Sequence, residues 1–412
     1  MRAFAESGLT HIPVGDLLPP APAGLPGCRR PLASARVMKL PRLSPIGCVV
    51  MFAGGALAAP LPPELRSPVA ALRAVAAEGR GNVAASAAFQ QVVRADAAAI
   101  PALLEAMDGA NDFALNWLRS AIETVAQRDP AGVKAALGSV ERFLRDRQHH
   151  PRARRLAYEL MARADAAQAQ ALLPAFLNDP SNELRREAVQ QLADSAAAKA
   201  KSGDKATATA GYQQALAAAR EADQIEAIAK TLGELGDKVD LQKTFGWITR
   251  WKVIGPFDNA GGAGFEKAFA PELGIDYAAE ADGLNGKVRW RDYESKSEYG
   301  LVDFNQPLTA LKSVTGYAAA EFWSDSARPV ELRLGCKNGW KVWLNGKPLF
   351  GRDEYHRGME IDQYRLAAQL QPGKNVILVK CLQNEQTEDW TKEWEFQIRV
   401  TDAQGTPIAS AK

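Results

Sequence analysis

The stretch Gly339-Trp340-Lys341-Val342-Trp343-Leu344-Asn345-Gly346-Lys347 constrains this chain more than any other. Trp340, Val342 and Leu344 alternate with Lys341, Trp343 and Asn345, the period of a strand with one face in a core. Asn345-Gly346 then supplies two residues that tolerate positive φ, as a tight type I′ hairpin requires. Upstream, Val330, Leu332, Leu334 and Cys336 alternate with Glu331, Arg333 and Gly335. Downstream, Pro372-Gly373-Lys374-Asn375 turns into an apolar run over 376–382. Strand, hairpin, turn, strand is the middle of a β-sandwich. Further strands are expected over 288–293, 301–304, 316–323 and 394–400, and closely spaced short strands separated by turns mark an all-β sandwich. Trp251, Phe322 and Trp340 are expected in its core.

The 412 residues leave room for two or three domains. A net charge of +2 gives no electrostatic footprint for nucleic acid. Eight of the nine tryptophans lie from Trp247 onward, whereas the region before it is rich in alanine; the chain therefore reads as a helical half followed by an aromatic β half. Within the first half, an apolar segment over 172–177 runs into Asn178-Asp179-Pro180-Ser181. A helix follows, with Ser181 as N-cap and Leu184, Ala188, Val189 and Leu192 on one stripe. This unit resembles a HEAT repeat. It is echoed by Ile100-Pro101-Ala102-Leu103-Leu104 and a helix carrying Leu115, Leu118, Ile122 and Val125. The stretch 212–235 is more similar to a TPR helix pair. Such units bury their apolar faces by stacking. Two roles are open to the array: a spacer that carries the β domain, or a concave surface for a protein partner. The basic run Arg142, Arg145, Arg147, His149, His150, Arg152, Arg154 and Arg155 is either that surface or a solvated helix junction. His149-His150 has no further ligand at metal spacing.

Met38-Lys39-Leu40-Pro41-Arg42, an apolar run over 46–57 and Ala56-Leu57-Ala58 have the order of a secretory signal peptide. The apolar run is too short to span a bilayer, so no stable membrane insertion is expected. The reading is residues 1–37 as a non-translated or disordered extension, 38–58 as the signal peptide with cleavage near Ala58, and export to the periplasm or beyond. A helical-repeat domain then covers 60–236, a linker 237–246, the sandwich 247–403 and a disordered tail 404–412.

In the β half, Leu332-Arg333-Leu334-Gly335, Val342-Trp343-Leu344-Asn345-Gly346 and 373–379 together resemble the galactose-binding-like jelly roll, the fold of sugar-binding domains attached to many glycoside hydrolases. With Trp251 to Asn259, Tyr355-His356-Arg357-Gly358-Met359 and 383–390 added, the pattern is similar to a group of exported bacterial proteins with helical repeats before this domain. The resemblance covers about 170–403 and implies no established activity. A sugar site needs exposed aromatic platforms beside planar polar groups. The candidates are Trp343, Tyr355, His356, Asn384, Asp389 and Trp390, on loops that a sandwich can bring to one rim; the competing expectation is that Trp343 and Trp390 pack against loops or the helical half. Gly261-Gly262-Ala263-Gly264 lacks the Lys-Ser/Thr of a phosphate loop and reads as a flexible loop.

Cys336 and Cys381 fall on the inward phase of their strands. If those strands are antiparallel neighbours, the register holds the sulfurs too far apart to bond, which favours two buried thiols. No metalloprotease, nucleophile-elbow or Walker motif is present. Glu388, Asp389, Glu393 and Glu395 form a local carboxylate cluster, whereas a glycosidase pair faces across about 5–10 Å of cleft. The expectation is an exported, non-catalytic binding or scaffold protein with no cofactor. Its partner is either a protein at the helical repeats or a glycan at the sandwich rim, and a hydrolase is the remaining alternative.

Overall fold

The computed structural model describes residues 60–412; the expected extension, signal peptide and cleavage site lie outside them. The described chain opens with a helical region. Side-chain caps start its helices repeatedly: Asn111, Asp129, Asp165, Ser181 and Asp204 each accept from a backbone N–H in the first turn that follows. Leu115, Leu118, Ile122 and Val125 are buried as their periodicity demands, and so are Leu184, Ala188 and Val189. The turn before Ser181 is held by charge. Arg154, fully buried, makes a two-pronged pair with Asp179 at 2.5 and 2.8 Å and donates Nε to the Leu144 carbonyl. Asp179 also accepts from the Ser181 amide.

The basic run over 142–155 spans a helix junction whose Arg142, Arg145 and Arg147 face solvent, whereas Arg154 is buried. Arg145 pairs with Glu141, Arg155 with Glu159 and Glu187, Arg152 with Asp112, and His149 with Asp108 while stacking on Phe143. The pairs with Glu141 and Glu159 lie within one helix each, whereas those with Asp112, Glu187 and Asp108 tie separate segments together.

The second region holds twelve strands: β1 (Arg250–Asp258), β2 (Glu280–Gly283), β3 (Gly286–Arg289), β4 (Arg291–Glu294), β5 (Val302–Asp303), β6 (Val314–Ser324), β7 (Arg328–Cys336), β8 (Gly339–Leu344), β9 (Lys347–Arg352), β10 (Tyr364–Leu370), β11 (Gly373–Gln383) and β12 (Glu395–Thr401). Six form one antiparallel sheet in the order β4-β1-β6-β11-β8-β9, and four form a second, β10-β7-β12-β5. The two sheets enclose a core containing Trp251, Phe322, Leu334, Trp340, Val379, Trp394 and Phe396. Asn345 and Gly346 both have positive φ, 53° and 76°, as the hairpin requires. The expected strand at 288–293 divides into β3 and β4.

Two boundaries differ from expectation. The linker is a structural element: Leu241–Phe245 is a short helix capped by Asp240, and Phe245 is fully buried. Phe245 and Trp247 belong to the same apolar cluster as Val189, Tyr212 and Ile225, so the helical core runs into the edge of the sandwich. The tail is ordered. Ile408 N–H donates to Val400, Ala411 N–H to Trp323, and Ser410 Oγ accepts from the Trp323 amide. Arg185 reaches the Gln404 carbonyl at 2.8 Å, which ties the tail back to the helices. The disorder expected of residues 404–412 gives way to this backbone pairing.

Where the two regions meet, Asp362 accepts from Arg399 Nε and Nη2 at 2.7 and 2.5 Å and from Arg333 Nη1 at 2.8 Å. Arg399 also donates to the Phe245 carbonyl and stacks over Phe245 and Trp247. Burial opposes the charged form of Asp362, yet the hydrogen bonds and charges of Arg399 and then Arg333 outweigh it and hold the carboxyl below its usual range. Asp362→Ala leaves the buried Arg399 guanidinium without its carboxylate and Arg333 with Glu331 alone, and is expected to cost about 3–5 kcal/mol, measured as a lower urea midpoint. Because the folded carboxyl is depressed, its contribution is complete above the unfolded value of about 3.9 and is lost as pH falls below it. The variant's stability is therefore flatter with pH through that window.

Candidate functional site

The site lies at the end of the sandwich where β11 runs out. Gln383, fully buried, donates Nε2 to the Thr391 carbonyl at 2.9 Å, and its Oε1 accepts from Asn338 Nδ2 and the Asn384 amide. The next residue, Asn384, is thereby fixed with its side chain at the rim. Asn384 Oδ1 accepts from His356 Nε2 at 2.7 Å and from the Gln386 amide at 3.2 Å. A His that donates from Nε2 and is neutral keeps Nδ1 as an acceptor, and no described residue hydrogen-bonds that nitrogen. His356 sits at φ 54°, a left-handed conformation unfavourable for a non-glycine residue. Its ring meets Trp390 edge to face, with centroids 5.3 Å apart. Trp390 itself is 61% exposed.

Tyr355, next to His356, is half-buried. Its hydroxyl accepts from Asn259 Nδ2 at 3.1 Å, and its ring lies against Gly339, where a Cβ would come within 3.2 Å. Burial holds the Tyr355 phenol well above its ordinary pKa, so it is a neutral donor and acceptor at physiological pH. Asn259 organises the other side. Its Nδ2 also donates to the Gln383 carbonyl at 3.0 Å, and its Oδ1 accepts the Gly264 amide. The glycine-rich segment is therefore a turn pinned by Asn259. Lys312 closes the base by donating to the carbonyl and hydroxyl of Thr391.

Four of the six sequence candidates thus come together: Tyr355, His356, Asn384 and Trp390. Asp389 does not join them; it is exposed and paired with Lys392 at 2.5 Å. Among its neighbouring carboxylates, Glu393 pairs with Lys337 at 2.6 Å, and burial raises Glu395. Sequence reasoning missed Asn259, Asn338, Gln383 and Lys312. Asn259 stands in the motif 251–259, but nothing in spacing showed that it would bridge to strands more than 90 residues away.

Trp343 is the clear correction. It is 6% exposed and packs in a second apolar cluster with Ile254, Phe257, Phe269, Tyr317 and Leu378. Alternation does place it opposite Trp340, but that outer face of the six-stranded sheet is covered by the segment between β1 and β4. Lys380 holds the cover down. Its fully buried ammonium donates to the carbonyls of Phe265 and Lys267 and to Glu272 at 2.8 Å, and Glu272 also accepts the Tyr317 hydroxyl. Burial lowers the Lys380 pKa, against the pull of Glu272.

A cleft of about 730 Å³ lies elsewhere, between the linker helix, β1, β6 and the tail. Within it Lys252 pairs with Asp292, and the Lys412 ammonium sits 3.8 Å over Trp323. The rim instead offers an uncovered ring, which is why it is the stronger candidate. Among the described residues, no three or more His, Cys, Asp or Glu side chains are grouped to hold a metal ion, and no helix is long and apolar enough to cross a membrane.

No protein family matches the chain, and no curated protein matches it. Among the solved structures that share part of it are two glycoside hydrolases. A GH2 beta-galacturonidase from Eisenbergiella tayi is 8% identical over 37% of this chain and 25% of its own, with a TM-score of 0.23. A GH31 alpha-xylosidase from Xanthomonas citri is 9% identical over 39% and 19%, with a TM-score of 0.20. This chain matches a quarter or less of either enzyme's length, and likenesses at these scores carry no argument about the present fold or activity.

Lys380→Met keeps most of the side-chain volume but leaves the Phe265 and Lys267 carbonyls without this donor and Glu272 with the Tyr317 hydroxyl alone. The expected result is faster amide hydrogen exchange over 259–275 and around Trp343, with exchange in β7 and β12 unchanged. Unaltered protection of the cover would show that apolar packing alone holds it.

Proposed function

We propose that this chain is an exported, non-catalytic recognition protein in which a HEAT/TPR-like array carries a galactose-binding-like sandwich that binds a saccharide at its rim. The observation that carries this reading is the exposed Trp390 indole, set edge to face against His356, whose ring is locked by Asn384. A pyranose presents an apolar face bordered by hydroxyls. An open indole buries that face, and fixed amide, imidazole and phenol groups orient the hydroxyls. The polar groups are pre-ordered by Gln383 and Asn259, so binding need not order them. Export rests on the order of charged, apolar and small residues over 38–58. Of the basic residues over 142–155, Arg154 is withdrawn from any binding face by burial with Asp179.

The test is a glycan array with the full chain, followed by titration of any positive saccharide. Trp390→Ala is expected to weaken binding at least about 10-fold while shifting stability by no more than about 0.5 kcal/mol, since the ring is largely exposed. Asn384→Ala is expected to weaken binding through loss of the His356 orientation. Absence of binding to every saccharide would overturn the proposal and leave a protein partner as the reading to pursue.

A further inference from the structure

Cys336 and Cys381 do not sit on neighbouring strands. β7 pairs with β10 and β12, and β11 pairs with β6 and β8, so the two cysteines belong to opposite sheets. The sandwich brings their sulfurs face to face at 3.8 Å, both buried to within 2% of complete. The neighbouring-strand register that kept the sulfurs apart therefore does not apply. A bond of about 2.05 Å requires the two sulfurs to close the remaining gap from 3.8 Å.

We propose that Cys336 and Cys381 are a cross-link site, at which a disulfide joins the two sheets of the sandwich. Both sulfurs lie on the rim's supports, and the Cys336 thiol is 3.4 Å from the Asn338 carbonyl and 3.5 Å from that of Glu395. Cys381 is two residues before Gln383. Cys336 is two residues before Asn338, whose amide donates to Gln383 Oε1 and to the Glu393 carbonyl. The cross-link fixes the separation of the two strand ends on which Asn384 is mounted. It also closes a loop of 45 positions, which restricts the unfolded chain.

The chemistry balances as thiol–disulfide exchange. The two thiols give up two electrons and two protons to a small-molecule or protein disulfide, which leaves as two thiols, and one S–S bond forms in the core as one is broken in the oxidant. Timing follows from burial. Desolvation, with Cys336 alongside, keeps the Cys381 thiol far above its ordinary pKa, so the folded core holds no thiolate to attack. The bond closes while the sheets are docking, and the finished fold then shields it from reductants.

The experiment uses the full chain with Cys28→Ser and Cys48→Ser, which leaves these two sulfurs alone. The protein is unfolded, reduced and refolded in a glutathione buffer containing the oxidised form, then alkylated under denaturing conditions and mapped by mass spectrometry. The expected result is no alkylated cysteine and a cross-linked peptide pair joining Cys336 to Cys381. The oxidised form is expected to melt about 5–10 °C above protein refolded with reductant. Two alkylatable thiols, or a glutathione adduct on either sulfur, would overturn the proposal. So would an oxidised form that melts no higher than the reduced one. A Cys336→Ala/Cys381→Ala variant that melts identically in both buffers confirms that the difference comes from this pair.

Discussion

The carboxylate of Asp362 is the point at which the two halves of this molecule become one object. It pairs with Arg399 and Arg333 on the outer face of the four-stranded sheet, with Glu331 supplying a second carboxylate to Arg333, and Arg399 passes the connection on to the Phe245 carbonyl and the rings of Phe245 and Trp247. A buried ion pair is rarely a large net gain, because desolvation offsets its attraction. Its effect is on geometry. Two guanidiniums that find their partner in only one arrangement hold the linker helix, and the helical core behind it, at one position on the sheet. Asp362 adopts φ 60° to make this contact, so local backbone cost is accepted for a tertiary fit.

A second buried charge shapes the other face. Lys380 sits in an otherwise apolar strand, Val376-Ile377-Leu378-Val379-Lys380-Cys381-Leu382, and points away from the sandwich core. The cover that it anchors makes the six-stranded sheet buried on both sides, which is why β6 and β11 read as almost unbroken runs of buried residues rather than strict alternation. Aromatic packing by Phe257, Phe269 and Tyr317 fills the space around it. Trp343 is core for this reason, and the exposed aromatic is displaced to the loop after β11.

The rim shows how preparation of a site can be spread over distant parts of a chain. Trp390 and Asn384 come from one loop, His356 and Tyr355 from another, and Asn259 from the end of β1. Buried Gln383 and Asn338 connect the strand ends beneath them. The side chains that offer contacts are exposed or half-exposed, and those that position them are buried and fully hydrogen-bonded. That division suits recognition, since the polar groups keep their arrangement whether or not a ligand is present.

Sequence alone determined the order of helical and β regions, the inward faces of β7, β8 and β11, the Asn345-Gly346 hairpin and the Ser181 cap. Each depends on side-chain period or turn chemistry within a few residues, where local sterics and hydrogen bonding leave few options. It also placed Tyr355, His356, Asn384 and Trp390 among the candidates, because exposed-loop aromatics and amides stand out against strand alternation. Only the tertiary structure decided that Trp343 is covered, that residues 404–412 pair with the sheet, and that Arg154 is buried against Asp179. It alone brought Cys336 to Cys381. These outcomes depend on which surfaces meet across tens or hundreds of residues, and neither periodicity nor spacing along the chain encodes which element will cover a given face.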